Sequence, residues 1–304
     1  MLDTLPANKT FTRILAQKIA DSPLLRRGRF LWEENQKNWN FPLNKTQKLL
    51  AGTYLILTHY SEGRFPPTFA DQQKVYDNER NARPRPGMEY ELLLDQGRRK
   101  PFWLSKLGCM YVRHFALITE SLLKLGIQPP AKILEFACGG GWASDFLAQM
   151  NFHVVGTTIN PTDVEDARLR AESHRVRKLD NKLEFICTPM EDVHDATAHL
   201  APFDAVFVYE ALHHAYDWRK ACEQAYKSLK PGGWFLMCNE PNILHTLISY
   251  RYSQLSRSPE IGFSKREVFR VLKECGFGKR VVLAKRFGFF VRGLWIAVQR
   301  PPAS

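Results

Sequence analysis

The sequence predicts an α/β fold, a doubly wound and mostly parallel sheet preceded by a helical region. From residue 133 onward, short apolar runs alternate with helical stretches, which is typical of a parallel sheet covered by helices on both faces. Residues 1–118 lack this alternation and contain helical pieces instead. These pieces lie around Phe11–Ala20, Lys45–Tyr60 and Met110–Leu125. We therefore expect a helical N-terminal cap at residues 1–125 and a sheet domain at residues 126–304.

The predicted strands follow one another at regular intervals. The first, Ile133–Leu134, ends at Glu135 and runs into three glycines, after which a helix begins at Trp142. The later strands are His153–Thr158, Leu183–Cys187, Phe203–Glu210, Trp234–Met237, Val281–Arg286 and Leu294–Gln299. Helical stretches separate them as far as Cys275, and residues 287–290 are expected to form the turn of a final hairpin.

The glycines after the first strand predict a ligand site. Gly139–Gly141 have no Cβ, so the backbone there can approach a ligand closely. Glu135 stands at the carboxyl end of its strand, where open α/β sheets bind ligands, and an acid there favours a ligand with a cation or hydroxyls. A dinucleotide loop is disfavoured because its sixth position would be Ser144 and the second strand ends in Thr157–Thr158 without an acid. An ordinary strand–turn–helix stays open as an alternative.

Four motifs stand in a fixed order along the chain. They are residues 135–141, 203–204, 210–214 and 229–233. With these motifs the chain resembles the class I S-adenosylmethionine-dependent methyltransferases of the small-molecule type, over roughly residues 119–300. The resemblance implies a seven-stranded Rossmann-like sheet with an antiparallel last strand. It also implies S-adenosylmethionine as the cofactor.

The resemblance assigns cofactor contacts to residues at the ends of the first four strands. They are Glu135, Ala137, Cys138, Gly139, Gly141, Thr158, Ile159, Met190, Glu191, Asp192, Tyr209 and Glu210. Thr158 stands where relatives carry the acid that binds the ribose, and its hydroxyl makes one neutral contact, weaker than a charge-assisted pair. Glu191 or Asp192 is expected to reach the adenine amine, and the choice between them is open.

Two adjacent histidines, His213 and His214, are the candidate catalytic residues. They follow the fourth strand and therefore lie at the rim where the methyl group is presented. In a helix adjacent side chains point about 100° apart, so only one of the two can face the cleft. A histidine of near-neutral pKa can take a proton from a hydroxyl or amine during methyl transfer. Resemblance to small-molecule methyltransferases favours His213; the alternative is that both histidines only pack or bond the backbone.

Aromatic and basic residues predict where the acceptor binds. N-terminal helices in the family often close over the cofactor, which makes Tyr76, Tyr90 and Trp103 lid candidates. Tyr250 and Arg251 lie in the segment after the fifth strand, and loops after parallel strands line the active-site face. The alternatives are that these aromatics form the cap's own core and that residues 245–256 form a packed helix.

The net charge of +12 is concentrated in the first part of the chain. Residues 1–118 contain 19 Lys/Arg against 11 Asp/Glu. Such asymmetry indicates an anionic partner, which could be an anionic or lipid-linked acceptor, an acidic membrane surface or RNA. The alternative is that the basic residues only form a solvated surface. No recognisable RNA-binding module accompanies the sheet domain.

Cysteine usage and hydropathy bear on the location of the protein. The six cysteines form no Cys-x-x-Cys pair, and neither they nor the nine histidines show the spacing of a metal site, so a reducing cytoplasm is expected. Phe11–Ala20 is interrupted by Arg13 and Lys18, unlike a signal peptide. Leu49–Thr58 is too short to span a bilayer, so no transmembrane segment is expected.

These observations predict an S-adenosylmethionine-dependent methyltransferase that methylates oxygen or nitrogen of a small acceptor, anionic or linked to a lipid or sugar. Two other functions are kept as alternatives. One is an RNA methyltransferase that uses the basic N-terminal region. The other is a cofactor-binding partner subunit without turnover. The departures at Thr158 and at Pro189, where relatives often have Asp, would permit it.

Overall fold

The computed structural model describes residues 7–81, 90–179, 182–284 and 293–303. Its helices are α1 (Ala7–Ala20), α2 (Pro23–Lys37), α3 (Lys45–Ser61), α4 (Gln72–Asn81), α5 (Tyr90–Arg99), α6 (Lys106–Lys124), α7 (Trp142–Gln149), α8 (Pro161–Val176), α9 (Val193–Ala196), α10 (Trp218–Ser228), α11 (Thr246–Ser256) and α12 (Lys265–Glu274). Its strands are β1 (Lys132–Phe136), β2 (His153–Thr158), β3 (Leu183–Cys187), β4 (Phe203–Tyr209), β5 (Leu229–Glu240), β6 (Arg280–Val282) and β7 (Leu294–Gln299). The expected hairpin turn at residues 287–290 lies outside the described residues.

The seven strands form one sheet in the order β3-β2-β1-β4-β5-β7-β6. Strands β1 to β5 pair in parallel, whereas β7 runs antiparallel to both of its neighbours. The chain order reverses between β1 and β4, which is the point where open α/β sheets bind their ligands. The doubly wound sheet with an antiparallel last strand is therefore confirmed.

Central strands of this sheet are buried on both faces, which explains their nearly continuous apolar sequences. On one face Phe136 and Val206 pack among side chains of α10 and α12, and on the other Ile133 and Phe207 pack among those of α6 and α7. Strand β5 is longer than the expected Trp234–Met237. It begins at Leu229, which pairs with β4 across a register shift.

The chain divides into two compact units. A helical unit comprises Met1–Met88 and Ile243–Gly262, and a sheet unit comprises Glu89–Asn242 and Phe263–Ser304. This division differs from the boundary expected between residues 125 and 126. The reason is side-chain packing, because the buried stripe of α6 joins the core of the sheet unit, whereas α11 joins the core of α2 and α3.

Helix α3 illustrates how the helical unit is built. Its N-terminus is a capping box, in which Asn44 accepts a hydrogen bond from the Gln47 backbone and Gln47 accepts one in return. Its buried side, including Ala51 and Leu55, packs against α2 and α11. Among the helices that the structure describes, none is both long enough and apolar enough to cross a bilayer.

Candidate active site

The turn between β1 and α7 has a backbone that favours small residues. Ala137, Gly139 and Gly141 all have positive φ angles, of 52°, 54° and 72°. The Cys138 N–H donates to the carbonyl of Thr157 at 2.7 Å, which fixes the start of the turn to the neighbouring strand β2. The sequence predicted this turn because glycine adopts left-handed backbone angles without a Cβ clash.

The three glycines have different surroundings. A Cβ on Gly139 or Gly140 would have no neighbour within 4 Å, so this side of the turn is open to a ligand. A Cβ on Gly141 would instead lie 2.6 Å from the ring of Phe185. The Cβ side of Gly141 is therefore occupied by Phe185 of β3, and the contact of the Gly141 backbone with the cofactor stays a prediction.

Cys138 lies below the same turn. Its side chain is buried, and burial raises the pKa of the thiol well above its ordinary value. A Cβ on Gly156 would approach its Sγ to 2.9 Å, so the thiol fills space between the turn and β2. Cys138 was predicted to contact the cofactor, and its buried thiol restricts any such contact to its backbone.

Glu135 is a buried acid at the end of β1. Its Oε2 accepts a hydrogen bond from Ser144 Oγ at 2.5 Å. Burial raises the pKa of its carboxyl to about 7, against the opposing effects of the Ser144 bond and the charge of Lys100. An approaching cation favours the ionised form of such a carboxyl, and the contact of Glu135 with the cofactor stays a prediction.

Thr158 ends β2, at the position expected to face the ribose. Its side chain is buried, and its Oγ1 accepts a long hydrogen bond of 3.4 Å from the Asn160 N–H. Asn160 in turn caps α8 by accepting from the Thr162 N–H at 3.2 Å. Ile159, between them, is half-buried. The segment therefore presents one threonine hydroxyl, where an acid would offer two charged oxygens.

The two candidate adenine acids have different environments. Glu191 is fully buried, and its Oε1 accepts from the Asp217 N–H at the start of α10 at 2.8 Å. Asp192 is about half exposed and forms an ion pair with Lys220 at 3.0 Å. Met190 is buried in the core beside them. Glu191 therefore holds the start of α10, and Asp192 is the acid with accessible oxygens.

Directly after β4, the acid Glu210 is influenced by Lys100, whose ammonium lies over aromatic rings. The ammonium of Lys100 lies 4.0 Å from the centre of the Tyr111 ring and 5.6 Å from that of Trp142. Burial raises the pKa of Glu210, and the positive charge of Lys100 opposes that rise. Tyr209 is buried, with its hydroxyl 2.7 Å from His114 Nδ1. The charge of Lys100 therefore acts on both Glu135 and Glu210, an effect that no motif in the sequence indicated.

Arg170 of α8 fixes the segment that carries Lys100. Its guanidinium donates to the carbonyls of Gly140 and Arg98, both at 2.8 Å, and to that of Lys100 at 3.3 Å. It also bonds Asp145 of α7 at 3.1 Å. One side chain thus joins the glycine turn to the segment after α5, and no motif in the sequence indicated this link.

His213 forms a buried pair with Glu240. The 2.9 Å bond joins His213 Nδ1 to Glu240 Oε2, and the same carboxylate accepts the backbone N–H groups of Ala211, Leu212 and His213 at 2.8 to 3.3 Å. Burial alone would raise the pKa of Glu240, but the bonds from His213 and the backbone outweigh it and lower the pKa. The ionised acid therefore accepts a hydrogen bond from Nδ1–H of His213, which leaves the lone pair of the imidazole on Nε2.

The ring of His214 lies beside the His213–Glu240 pair. Its ring centre is 4.1 Å from that of His213, and its side chain is half-buried. Glu240 ends β5, 27 residues after His213 in the chain. No signal in the sequence indicated that the carboxylate of Glu240 bonds His213.

Comparison with known families connects this rim to a function. Residues 134–237 match the family described as a methyltransferase domain. The matched segment runs from β1 to β5 and includes the glycine turn. Residues 134–237 therefore form a methyltransferase domain, in a sheet with the class I S-adenosylmethionine-dependent methyltransferase fold. The prediction of this family is confirmed, and with it the prediction of S-adenosylmethionine as the cofactor.

Curated relatives of this methyltransferase act on different atoms, by their names. Ubiquinone biosynthesis O-methyltransferase from Psychrobacter arcticus is 24% identical over 176 residues, which cover 55% of this chain and 66% of that protein. Sterol 24-C-methyltransferase from Debaryomyces hansenii is 31% identical over 164 residues, which cover 51% of this chain and 41% of that protein. The match therefore spans less than two thirds of either relative.

Solved structures share the fold of this methyltransferase at low identity. The [4+2]-cyclase SpnF superposes with a TM-score of 0.53 and 14% identity, covering 78% of this chain and 98% of that one. Magnesium protoporphyrin IX methyltransferase from Synechocystis PCC 6803, with bound SAM, gives a TM-score of 0.50 and 15% identity over 76% of this chain and 98% of that one. At such identities the likeness concerns the fold alone.

The predicted acceptor residues of the methyltransferase fall in both units. Trp103 belongs to the sheet unit, where it lies edge-on to Tyr111 and lines a cleft of about 450 Å³. Tyr76 and Tyr250 are buried inside the helical unit, and Tyr250 bonds His59 at 2.9 Å. Arg251 donates to Asn35 within the same unit at 2.5 Å. Tyr90 begins α5, and its side chain lies outside the described part of the chain.

Proposed function

We propose that this methyltransferase transfers a methyl group from S-adenosylmethionine to an oxygen or nitrogen of a small acceptor, anionic or lipid-linked. The observation that carries the proposal is the buried His213–Glu240 pair at the carboxyl rim, after the strand β4 that adjoins the glycine turn of β1. Relatives named for methyl transfer to oxygen and to carbon support the reaction class. Methyl transfer to a hydroxyl or amine releases a proton, which a histidine at this rim can accept.

The strand ends offer groups that fit the cofactor. The open side of Gly139 and Gly140 lets a ligand approach the backbone, and Glu135 can ionise beside the cofactor's ammonium. Lys100 brings a cation to the same strand ends, suited to the cofactor's carboxylate. Thr158 would contact the ribose, and the accessible carboxylate of Asp192 the adenine amine. When bound, the cofactor supplies a methyl group on a positively charged sulfur.

His213 acts as the base in this proposal. Because its Nδ1–H is held by Glu240, the Nε2 lone pair accepts the proton of the acceptor's O–H or N–H as the new bond to carbon forms. The carbon–sulfur bond breaks at the same time, and its electron pair stays on sulfur. Glu240, ionised and held by three backbone N–H groups, stabilises the imidazolium that results.

A transfer assay with methyl-labelled S-adenosylmethionine tests this function. Candidate phenols, amines, a lipid extract and total RNA are incubated with the full chain, and label is followed into organic, aqueous and RNA fractions. Label in a small or lipid-linked product, lost in His213→Ala, supports the proposal. Label in RNA alone identifies an RNA methyltransferase, and cofactor binding without labelling of any acceptor favours a partner subunit.

The pKa of Glu135 predicts how cofactor binding depends on pH. With an ordinary value of 4.5 raised to about 7, the carboxylate becomes available to a cation as pH rises through 7. Affinity for S-adenosylhomocysteine should therefore increase about tenfold between about pH 6 and about pH 8. Calorimetric titrations across this range measure the slope. Glu135→Gln should flatten it, and an equal slope in both proteins would contradict the assignment.

The raised pKa of Glu135 also affects the stability of the fold, which is expected to fall as pH rises, whereas cofactor affinity is expected to increase. Between its ordinary pKa of 4.5 and its folded pKa of about 7, the folded chain keeps a proton that the unfolded chain has lost. The contribution of Glu135 to stability therefore decreases as pH rises through this window and is constant above it. Denaturant unfolding of wild type and Glu135→Gln at several pH values isolates this contribution, because the variant has no carboxyl at this position.

A further inference from the structure

Helix α1 exposes a large apolar face. The residues on its inner side are small and buried, as Ala16 and Ala20 show with 6% and 2% exposure. Large apolar side chains cover its outer side with substantial exposure. They are Phe11 (68%), Ile14 (52%), Leu15 (45%) and Ile19 (44%). Single exposed apolar residues are ordinary, whereas a contiguous group marks an interaction surface.

The spacing of these residues makes one continuous stripe. Phe11, Leu15 and Ile19 recur every four residues, so they lie above one another along the helix, and Ile14 borders them. Leu24, near the start of α2, is a further exposed apolar residue, at 77%. We name Phe11, Ile14, Leu15, Ile19 and Leu24 the α1 stripe.

Basic side chains accompany the α1 stripe. Residues 7–30 contain six Lys or Arg and a single acid, Asp21. Lys18, Arg26 and Arg27 are exposed. Of this group, Arg29 forms an ion pair with Glu33. The apolar stripe is therefore set in a strongly positive part of the helical unit.

We propose that the α1 stripe and its basic neighbours dock on an anionic lipid bilayer. A helix with large apolar residues on one side and Lys or Arg around it lies in the membrane interface, with its apolar face among the acyl chains and its cations at the headgroups. The long stem of Lys18 reaches past the apolar face to the headgroup level. This partner goes beyond the proposed reaction and does not depend on it.

Charge argues against the other occupants of this surface. A second copy docked stripe to stripe would bring two groups of like charge together, which opposes association. A nucleic acid would meet the cations but would leave the apolar side chains in water, since phosphate contacts carry most of its binding energy. An anionic bilayer satisfies both halves of the surface.

Vesicle sedimentation of the full chain tests the proposal. Vesicles of phosphatidylcholine alone are compared with vesicles in which phosphatidylglycerol replaces part of it, at low and at high salt. We expect about tenfold more protein on the anionic vesicles at low salt, and a smaller difference at high salt because salt screens the charges. Equal, negligible sedimentation with both vesicle types overturns the proposal.

Two matched variants test whether the α1 stripe is the surface that contacts the vesicles. Ile14→Ser with Leu15→Ser removes the middle of the α1 stripe and should reduce binding to anionic vesicles about tenfold. The control, Leu169→Ser with Val176→Ser, removes two apolar residues of α8 that are even more exposed, at 67% and 72%. The control should bind vesicles like wild type, and both variants should keep the wild-type affinity for S-adenosylhomocysteine.

Three further outcomes would overturn the assignment. Unchanged vesicle binding by Ile14→Ser/Leu15→Ser would place the contact elsewhere. Light scattering that shows a wild-type dimer, lost in this variant, would make a second copy the occupant of the stripe. Co-purified RNA that is released by high salt and persists in this variant, with no vesicle binding, would make the basic residues a nucleic-acid surface.

Discussion

Replacing Gly141 with valine is expected to abolish cofactor binding and to destabilise the sheet unit by about 3 kcal/mol. The φ angle of 72° disfavours a β-branched residue, and its Cβ would lie 2.6 Å from the Phe185 ring. Either the glycine turn or β3 must move, and the turn is the part that faces the ligand. Denaturant unfolding and calorimetric titration with S-adenosylhomocysteine measure the two effects.

Gly126 provides a matched control for this substitution. Its φ angle is 74°, yet a Cβ there would have no neighbour within 4 Å. Gly126→Val therefore introduces similar backbone strain, about 1 to 2 kcal/mol, without the clash. We expect it to keep cofactor affinity within about threefold of wild type. Wild-type affinity in Gly141→Val would show that the turn does not form the cofactor site.

Replacing His213 with alanine is expected to lower kcat by about a hundredfold or more, the contribution typical of a general base. Affinity for S-adenosylhomocysteine should change little, because the proposed role of His213 is toward the acceptor. Labelled-methyl transfer at saturating cofactor measures kcat. His214→Ala is the control, since the His214 ring adjoins that of His213 and the bond to Glu240 described above belongs to His213. A large loss in His214→Ala with activity retained in His213→Ala would reverse the two roles.

Glu240→Gln separates proton removal from simple packing. The amide oxygen can still accept backbone N–H groups, but the amide N–H₂ facing Nδ1 would favour the tautomer with its proton on Nε2. We therefore expect a loss of kcat comparable with that of His213→Ala, with the fold retained. Circular dichroism checks the fold and the transfer assay checks kcat. Full activity of Glu240→Gln would contradict a base that depends on this tautomer.

The sheet could be predicted from the sequence because its signals are local. Buried strands such as Phe203–Tyr209 are apolar over their whole length, and the turn at Gly139–Gly141 marks the first strand end. His213 followed from its position after β4. These features need only a few neighbouring residues to be recognised.

The remaining parts of the site depend on tertiary contacts. Glu240 meets His213 across parallel strands β4 and β5, Lys100 arrives from a segment after α5, and Arg170 holds that segment to the turn. None of these contacts has a sequence spacing that a motif could show. Tyr250 was expected near the acceptor because its segment follows a strand end. The segment forms helix α11, and the Tyr250 side chain is buried in the core of the helical unit.

Calorimetric titration of the full chain with S-adenosylhomocysteine tests the central claim, that the strand ends around Glu135 and Gly139 hold the cofactor. The assignment predicts a dissociation constant of about 10 μM or below, and loss of the signal in Gly141→Val. No measurable heat with the wild-type chain, in a preparation shown to be folded, would contradict it.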